Sequence, residues 1–147
     1  MREIKFRGKR VNNGEWVYGY FYSYVRDDNR KPEHCILQDI SSLASDFKIN
    51  YVDPSTVGQY TGRTAQCTDA IYEGDRCIVT IFDHNGTDYQ HECEVVWDNG
   101  CLAFSNEAHE FWMPVAYVED TDSDVEVIGN IHDNPELIKA GVLHGNS

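Results

Sequence analysis

The stretch WVYGYFYSYV, residues 16–25, decides the fold class, because such a dense run of aromatic and β-branched side chains is typical of a β-strand. The segment EIKFRGKRV, residues 3–11, precedes it and alternates apolar with basic side chains. Asn12, Asn13 and Gly14 lie between the two segments, and these residue types tolerate the backbone angles of a tight turn. The sequence therefore predicts an N-terminal β-hairpin.

More strands are predicted in the second half of the chain. An apolar run at 77–82 (CIVTIF), an alternating run at 89–97 and a short run at 101–104 are separated by turns rich in Asn and Gly. Strands joined in this way form an antiparallel meander. The alternating run VEVIGNI at 125–131 predicts a closing strand, and residues 113–118 are predicted to be extended.

Smaller elements complete the prediction. CILQ at 35–38 predicts a short strand, and residues 39–47 place apolar side chains on one helical face, as in a helix or a loose turn. Near the C-terminus, Asn134 is predicted as the N-cap of a short helix that has Pro135 at its first position and ends at Gly141. The chain is therefore expected to be β-dominated, with a short C-terminal helix.

Length and composition indicate a folded protein. The 147 residues are 41% hydrophobic and 12% aromatic, enough for an ordinary core without disulfide staples. No apolar run is long enough to span a membrane, and the charged start MREIKFRGKR lacks the apolar segment of a secretory signal. We therefore expect a cytoplasmic protein.

The net charge of −13 is unevenly distributed. Five of the first ten residues are basic, and the remainder of the chain is strongly acidic. An acidic body repels phosphate backbones, so a nucleic-acid partner is expected only through this basic strip. The alternative is that the strip pairs with acids of its own chain or of a neighbouring subunit. The basic residues of the strip are Arg2, Lys5, Arg7, Lys9 and Arg10.

Patterns that would indicate a chemical site are weak. The cysteines are odd in number and form no C-x-x-C pair, which is typical of reduced thiols and provides no zinc site. Asp120, Asp122 and Asp124 lack the glycine and the glutamate that a calcium loop needs. His91 and Cys93 share one face of a strand, but two ligands do not make a site. The sequence predicts no catalytic, cofactor-binding or metal-binding residue. The cysteines are Cys35, Cys67, Cys77, Cys93 and Cys101.

The chain resembles the YopX-like proteins of bacteriophages and prophages. The resemblance rests on blocks that follow the family's order: REIKFRG, GEWVYGYFY, TVGQYTG, IYEGD and VEVIGNIHDNPELI. The connector RTAQCTDA, residues 63–70, departs from the lysine-rich, glycine-containing stretch that members usually carry there. No binding role is therefore carried over to this connector.

The resemblance implies a phage-encoded cytosolic protein with a single domain over residues 1–147. An N-terminal hairpin region (1–62) is expected to pack on a small, strongly bent, barrel-like sheet (63–147). No catalytic residue is implied, and the shared motifs are interpreted as structural. The motif residues are Gly58, Gln59, Tyr60, Thr61, Gly62, Tyr72, Glu73, Gly74, Asp75, Gly129, Asn130, Asn134 and Pro135.

Physical roles can be assigned to some of these motif residues. The four motif glycines can take backbone angles that are closed to other residues. Asp75 can cap the turn that precedes the strand at 76–82. Tyr60 and Trp97 are expected to fill the core.

Three functions are compatible with these patterns. The first is a non-enzymatic accessory protein that binds a protein partner or itself, for which the aromatic run is suited and the acidic charge fits a basic host protein. A variant of it is an acidic mimic of DNA that inhibits a host protein. The second is a nucleic-acid-associated small-barrel module, and the third is an enzyme built from scattered His, Cys and acidic residues.

Overall fold

The computed structural model describes residues 3–26, 31–39, 47–65, 69–106, 110–118 and 122–134. The predicted β-dominated class is confirmed, because the described residues consist mainly of antiparallel strands. The strands are β1 (Phe6–Lys9), β2 (Trp16–Val25), β3 (Pro32–Asp39), β4 (Phe47–Tyr51), β5 (Gly58–Thr64), β6 (Ala70–Tyr72), β7 (Asp75–Phe82), β8 (Asp88–Asp98), β9 (Cys101–Ser105), β10 (Trp112–Pro114) and β11 (Ser123–Asn130).

The chain divides into two compact units, Met1–Tyr60 and Thr61–Ser147. Two short 3-10 helices, Pro54–Thr56 and Val115–Tyr117, accompany the strands. The predicted helix around 39–47 and the C-terminal helix fall mostly on residues 40–46 and 135–147, which lie outside the described residues. Asp39 and Phe47 are described and are not helical, because Asp39 ends β3 and Phe47 begins β4.

The first unit contains strands of a six-stranded sheet with the order β4-β3-β2-β1-β5-β6. The predicted N-terminal hairpin is confirmed: β1 pairs antiparallel with β2, with Lys9 opposite Trp16. Gly14 has a φ of 72° in the connecting turn. The short strand predicted at 35–38 is longer, because all eight residues of β3 pair with neighbouring strands.

One face of this sheet forms the core of the first unit. Val17, Ile36 and Val52 are buried there, and partly buried apolar side chains pack against them. Asn50 is also buried, at 4% exposure. Its side-chain amide donates to the Ile36 and Lys48 carbonyls, and these hydrogen bonds satisfy the buried polar group. The apolar positions of this face alternate along β2, as a strand with one covered face requires.

The second unit contains a five-stranded antiparallel sheet with the order β10-β9-β8-β7-β11. The predicted meander is confirmed in β7, β8 and β9. Asn99 and Gly100 join β8 to β9 with φ values of 52° and 80°, the positive angles that a tight two-residue hairpin turn requires. The closing strand is confirmed as β11, which pairs with β7. Within the described residues β10 and β11 are the edges of this sheet.

The core of the second unit lies on one face of that sheet. Phe104, Val79 and Val95 are fully buried in it. Residues 113–118 are extended only as far as Pro114, after which the backbone turns into the 3-10 helix that buries Val115. The prediction of a fully extended segment was therefore too long.

Trp97 does not fill the core as predicted, because it is 52% exposed. Its position on β8 follows the alternation of the buried Cys93 and Val95, but it lies next to the Asn99–Gly100 turn, at the end of the hairpin. Tyr60 is half-buried in the first unit. Position along the strand, and not residue type, decides the exposure of both.

Two of the four motif glycines were assigned incorrectly. Gly62 and Gly74 have the predicted positive φ values, 86° and 90°. Gly58 instead lies in extended β5 opposite Arg7, and Gly129 lies in β11 at a shift of register that interrupts its pairing with β7. A β-bulge is another position at which a residue without a side chain is favoured.

Candidate functional site

The second face of the first sheet carries an exposed row of aromatic side chains. Successive side chains of a strand point to opposite faces. The buried Val17 therefore lies on one face of β2, and Trp16 and every second residue after it lie on the other face. Tyr18 and Tyr20 are 43% and 59% exposed, whereas Val17 is 5% exposed. The row consists of Trp16, Tyr18, Tyr20, Tyr22 and Tyr24.

Neighbouring strands extend this row sideways. Tyr20 pairs with Leu37 of β3, which pairs with Ile49 of β4, so the three side chains share one face. Ile49 is 52% exposed, and Phe47 on the same strand is 46% exposed. We call this surface the aromatic face. It consists of the aromatic row of β2 together with Leu37, Phe47, Ile49 and Tyr51.

Basic side chains lie along β1 at one side of the aromatic face. The Arg7 guanidinium carbon lies 4.7 Å from the centre of the Trp16 ring, and the Lys9 ammonium lies 5.3 Å from it. The Lys5 ammonium lies 5.9 Å from the Tyr60 ring. At these distances a cation is attracted to the π-face of an aromatic ring. Three residues of the predicted basic strip therefore belong to the aromatic face.

Arg10 of the basic strip does not join this group. Arg10 donates from Nε to the Asn50 side-chain oxygen at 2.9 Å, and its guanidinium lies 3.8 Å from the Glu15 carboxylate. Arg2 lies outside the described residues. The prediction that the strip pairs with acids of its own chain is thus confirmed for Arg10.

Tyrosine hydroxyls connect the far end of the aromatic face. The Tyr24 and Tyr51 hydroxyl oxygens are 3.3 Å apart, and Arg26 donates to the Tyr51 hydroxyl at 3.3 Å. The hydrogen bond with Tyr51 raises the pKa of Tyr24, and desolvation raises the pKa of Tyr22. These two tyrosines therefore remain neutral near pH 7, and the charge on the face comes from its basic residues.

Motif residues of the first unit support β1. Gln59 pairs with Phe6, Gly58 pairs with Arg7, and the Tyr60 amide donates to the Lys5 carbonyl at 2.7 Å. Next along the chain, the Thr61 hydroxyl accepts from the Arg63 amide at 3.2 Å. Gly62, between these two residues, has a positive φ. The contacts of Gly58, Gln59 and Tyr60 fix β1, which carries Arg7 and Lys9, whereas Thr61 and Gly62 belong to the second unit.

Motif residues of the second unit form a turn cluster. The buried Asp75 carboxylate accepts from the Tyr72 amide at 2.8 Å, which confirms its predicted capping role. Gly74 donates its amide to the Val95 carbonyl and accepts from the Ile131 amide. Glu73, which lies between Tyr72 and Gly74 in the sequence, is half-buried.

The closing motif lies beside this turn cluster. Asn130 pairs with Asp75, and its side-chain oxygen accepts from the His132 and Asp133 amides at 3.0 and 2.8 Å. The Asn134 side chain accepts from the Asn130 amide at 3.3 Å. Pro135 lies outside the described residues. Blocks far apart in the sequence thus meet, and their polar groups are used to hold the backbone.

His91 and Cys93 are used in packing. The His91 ring stacks on Phe111 with ring centres 4.1 Å apart, and the Cys93 thiol donates to the His91 carbonyl at 3.6 Å. Burial raises the pKa of Cys93 to about 12. Among the described residues, no group of three or more His, Cys, Asp or Glu side chains is placed to hold a metal ion.

The four cysteines that the structure describes form no disulfide bond with one another. Cys35, Cys77 and Cys93 are buried, as predicted, and Cys101 is half-exposed. Cys67 and Asp120 lie outside the described residues. Asp122 accepts from the Phe82 amide through its carbonyl, at the start of β11.

Comparison with known proteins agrees with this architecture and with the motif blocks. The family model described as "YopX protein" matches residues 5–139. The chain belongs to the YopX family. No curated protein matches it. No helix in the described part of the chain is long and apolar enough to cross a membrane.

Two solved structures share the fold of this YopX-family protein. Protein EF1440 from Enterococcus faecalis matches with a TM-score of 0.51 and 20% identity, over 94% of this chain and 99% of that one. Protein yopX from Bacillus subtilis matches with a TM-score of 0.54 and 17% identity, over 93% and 98% of the two chains. At such low identities the likeness is one of fold.

Proposed function

We propose that this YopX-family chain is a non-enzymatic accessory protein of a phage or prophage that acts in the bacterial cytoplasm by associating with other copies of itself. The observation that carries the proposal is the aromatic face, where Tyr20, Ile49 and Phe47 are about half exposed on one side of a regular sheet. The contact surface is the aromatic face, including its basic residues on β1.

Residue chemistry favours a protein as the occupant of this face. Tyr and Trp bury a large area while losing few rotatable bonds, and they are enriched where interfaces carry most of their binding energy. Ile49 and Leu37 gain free energy only when apolar surface covers them, at about 25 cal/mol per Å². A regular sheet also presents these side chains in a fixed arrangement, which lowers the entropy lost on binding.

Charge favours a second copy of the chain. The face carries Lys5, Arg7, Lys9 and Arg26, and Glu33, 3.8 Å from Arg26, is an acid beside them. The whole chain has a net charge of −13. Another copy therefore brings acidic surface to a basic, aromatic contact, whereas a basic host protein would be repelled by this face.

Sedimentation velocity measures this association directly. The purified, nuclease-treated protein should sediment as a multiple of 16.9 kDa at concentrations between about 1 and 100 µM. This range tests for a Kd near 1 µM, which corresponds to a binding free energy of about 8 kcal/mol. A single species of 16.9 kDa over this whole range would refute the proposal.

A pair of matched variants places the contact. Replacing Tyr20 and Ile49 by serine should raise the dissociation constant at least about thirtyfold, because truncating a buried anchor residue costs about 2 kcal/mol. The control replaces Tyr89 and Trp97 by serine, since these side chains of the second unit are 51% and 52% exposed. Equal effects of the two pairs would show that association is not specific to the aromatic face.

Single-stranded nucleic acid is a second candidate occupant, and it is favoured by one observation. Lys5, Arg7 and Lys9 lie against aromatic rings on the same face, and platforms for single strands combine aromatic side chains with a basic track. Fluorescence anisotropy with a labelled oligonucleotide tests it at low salt. Binding that weakens with salt and is lost in Lys5→Glu/Lys9→Glu would support this candidate, because each phosphate contact contributes about −0.7 to the salt slope.

A further inference from the structure

A second exposed surface has the opposite charge to the aromatic face. It is the part of the outer face of the five-stranded sheet that β11, β7 and β8 form, on the side away from Val79, Cys93 and Val125; Ala103 and Ser105 of β9, on the same side, are buried. We call it the acidic face. Its carboxylates are Asp88, Glu92 and Glu94 of β8 and Asp124 and Glu126 of β11, and its apolar side chains are Ile78 and Phe82 of β7.

Strand register arranges these side chains in rows. Ile78 of β7 lies between Glu126 on one neighbouring strand and Glu92 on the other. Phe82 pairs with Asp88 in another row. Ile78 and Phe82 therefore lie along the middle strand of the acidic face, with Thr80 between them and carboxylates on both neighbouring strands. Arg76 lies on the same strand, opposite Glu94, so its charge offsets that of Glu94, and the negative charge of the acidic face comes from the other four carboxylates.

Two copies of the aromatic face match each other poorly. Contact between them would bring the basic rows Lys5, Arg7 and Lys9 of both copies into one interface. Glu33 already lies 3.8 Å from Arg26 of its own chain, so it has little capacity to balance those charges. Like charges placed together in an interface select against that pairing.

The acidic face offers the complementary surface. Both surfaces are faces of antiparallel sheets, and such faces pack about 10 Å apart in proteins. Their central strands are similar in length, with ten residues in β2 and eleven in β8. One surface combines apolar rings with cations, and the other combines apolar side chains with carboxylates.

We propose that the aromatic face of one copy docks on the acidic face of the next copy, so that the YopX-family chain assembles head to tail. This inference rests on the self-association proposed above and adds its second surface. A head-to-tail contact uses two different patches on every copy, so it generates closed rings or open filaments. Because oppositely charged groups meet in it, salt should weaken the association.

Mixing two variants, each defective in one surface, tests the inference. The first variant, Tyr20→Asp/Ile49→Asp, loses the aromatic face, and the second variant, Glu92→Lys/Glu126→Lys, loses the acidic face. Each alone should be monomeric where the wild type is assembled, with self-association weakened at least about tenfold. Their mixture should form a one-to-one complex that grows no further, because one intact surface of each kind remains.

The possible results separate this inference from the proposed function. A monomeric wild type would overturn both. An assembled wild type whose acidic-face variant still assembles would overturn only the head-to-tail arrangement, as would two monomeric variants that form no complex when mixed. Assembly that disappears on nuclease treatment would overturn both and assign the aromatic face to nucleic acid.

Charge-matched variants control for unspecific effects. Asp69→Lys/Glu110→Lys changes the net charge by the same amount at exposed positions of the second unit outside the acidic face, and it should assemble like the wild type. Urea unfolding of every variant establishes that it is folded. If the lysine pair unfolds the protein, Glu92→Gln/Glu126→Gln replaces it, with the same expected one-to-one complex in the mixture.

Discussion

Replacing Gly19 by alanine tests how β2 and β3 fit together in the first unit. Gly19 pairs with Phe6 of β1, and on its other side it approaches the backbone of β3. A β-carbon built on Gly19 would overlap the Leu37 carbonyl oxygen and lie only 2.9 Å from the Leu37 carbonyl carbon. Both atoms belong to the backbone, so no side-chain rotation relieves the overlap.

The magnitude follows from the separation that the strands would need. The two strands must move apart by about 1 Å for the new methyl group to reach van der Waals distance. That movement stretches ladder hydrogen bonds beyond about 3.2 Å, and each one lost costs about 1 kcal/mol. Together with an overpacking cost of about 1–3 kcal/mol, Gly19→Ala should lower the free energy of unfolding by about 3–5 kcal/mol.

Urea unfolding followed by circular dichroism measures the effect, with Gly14→Ala as the control. Gly14 has a φ of 72°, but no atom lies within 4 Å of a β-carbon built there. Its substitution should cost only the backbone strain of about 1–2 kcal/mol. If Gly19→Ala costs no more than Gly14→Ala, the close approach of β2 to the Leu37 carbonyl is not a constraint on the fold.

Three further predictions concern buried polar groups and thiols. Asp75→Ala leaves the Tyr72 amide without its acceptor and should destabilise the protein by about 2–3 kcal/mol in urea unfolding. The control Asp83→Ala, in an exposed turn, should cost less than about 1 kcal/mol. Equal costs of the two substitutions would contradict the capping role of Asp75. Asn50→Leu removes the acceptor of Arg10 Nε and a donor to backbone carbonyls, so a loss of about 2–4 kcal/mol is expected, and a neutral effect would contradict the network. Iodoacetamide at pH 8 should label the half-exposed Cys101 and spare Cys93 by peptide mapping, because a pKa of about 12 leaves about one thiolate in ten thousand. Since an unfolded thiol ionises near pH 8.5, the contribution of Cys93 to stability should be lost as the pH rises from about 8.5 to about 12, and rapid native labelling of Cys93 would refute its burial.

Local sequence signals predicted most of the strands. The runs at 16–25 and 77–82 combine β-forming residues with turn residues on either side, so local preference and tertiary structure agree there. Trp97 was predicted wrongly because residue type indicates that a side chain favours burial, and not whether its strand extends beyond the covering layer. Gly129 was also assigned wrongly, because a bulge depends on the pairing of β11 with β7, which local sequence does not contain.

The candidate site was only half visible in the sequence. Aromatic residues at every second position from Trp16 to Tyr24 imply one aromatic face of β2. Whether that face is buried depends on the strands beside it. The core of the first unit, which contains Ile36 and Val52, lies on the opposite face, and Tyr20 is exposed. The position of Arg7 and Lys9 beside the Trp16 ring could not be predicted either, since it depends on the register between β1 and β2.

The distribution of basic residues links the aromatic face to an acidic partner. A cation that only increases solubility extends its charged group into water, where it is best hydrated. Arg7 is instead 6% exposed, with its guanidinium 4.7 Å from the centre of the Trp16 ring, and Lys9 lies over the same ring. Holding cations in this way reduces their hydration in the free protein, so less hydration remains to be lost when carboxylates approach. A net charge of −13 makes other copies of the chain a ready source of such carboxylates.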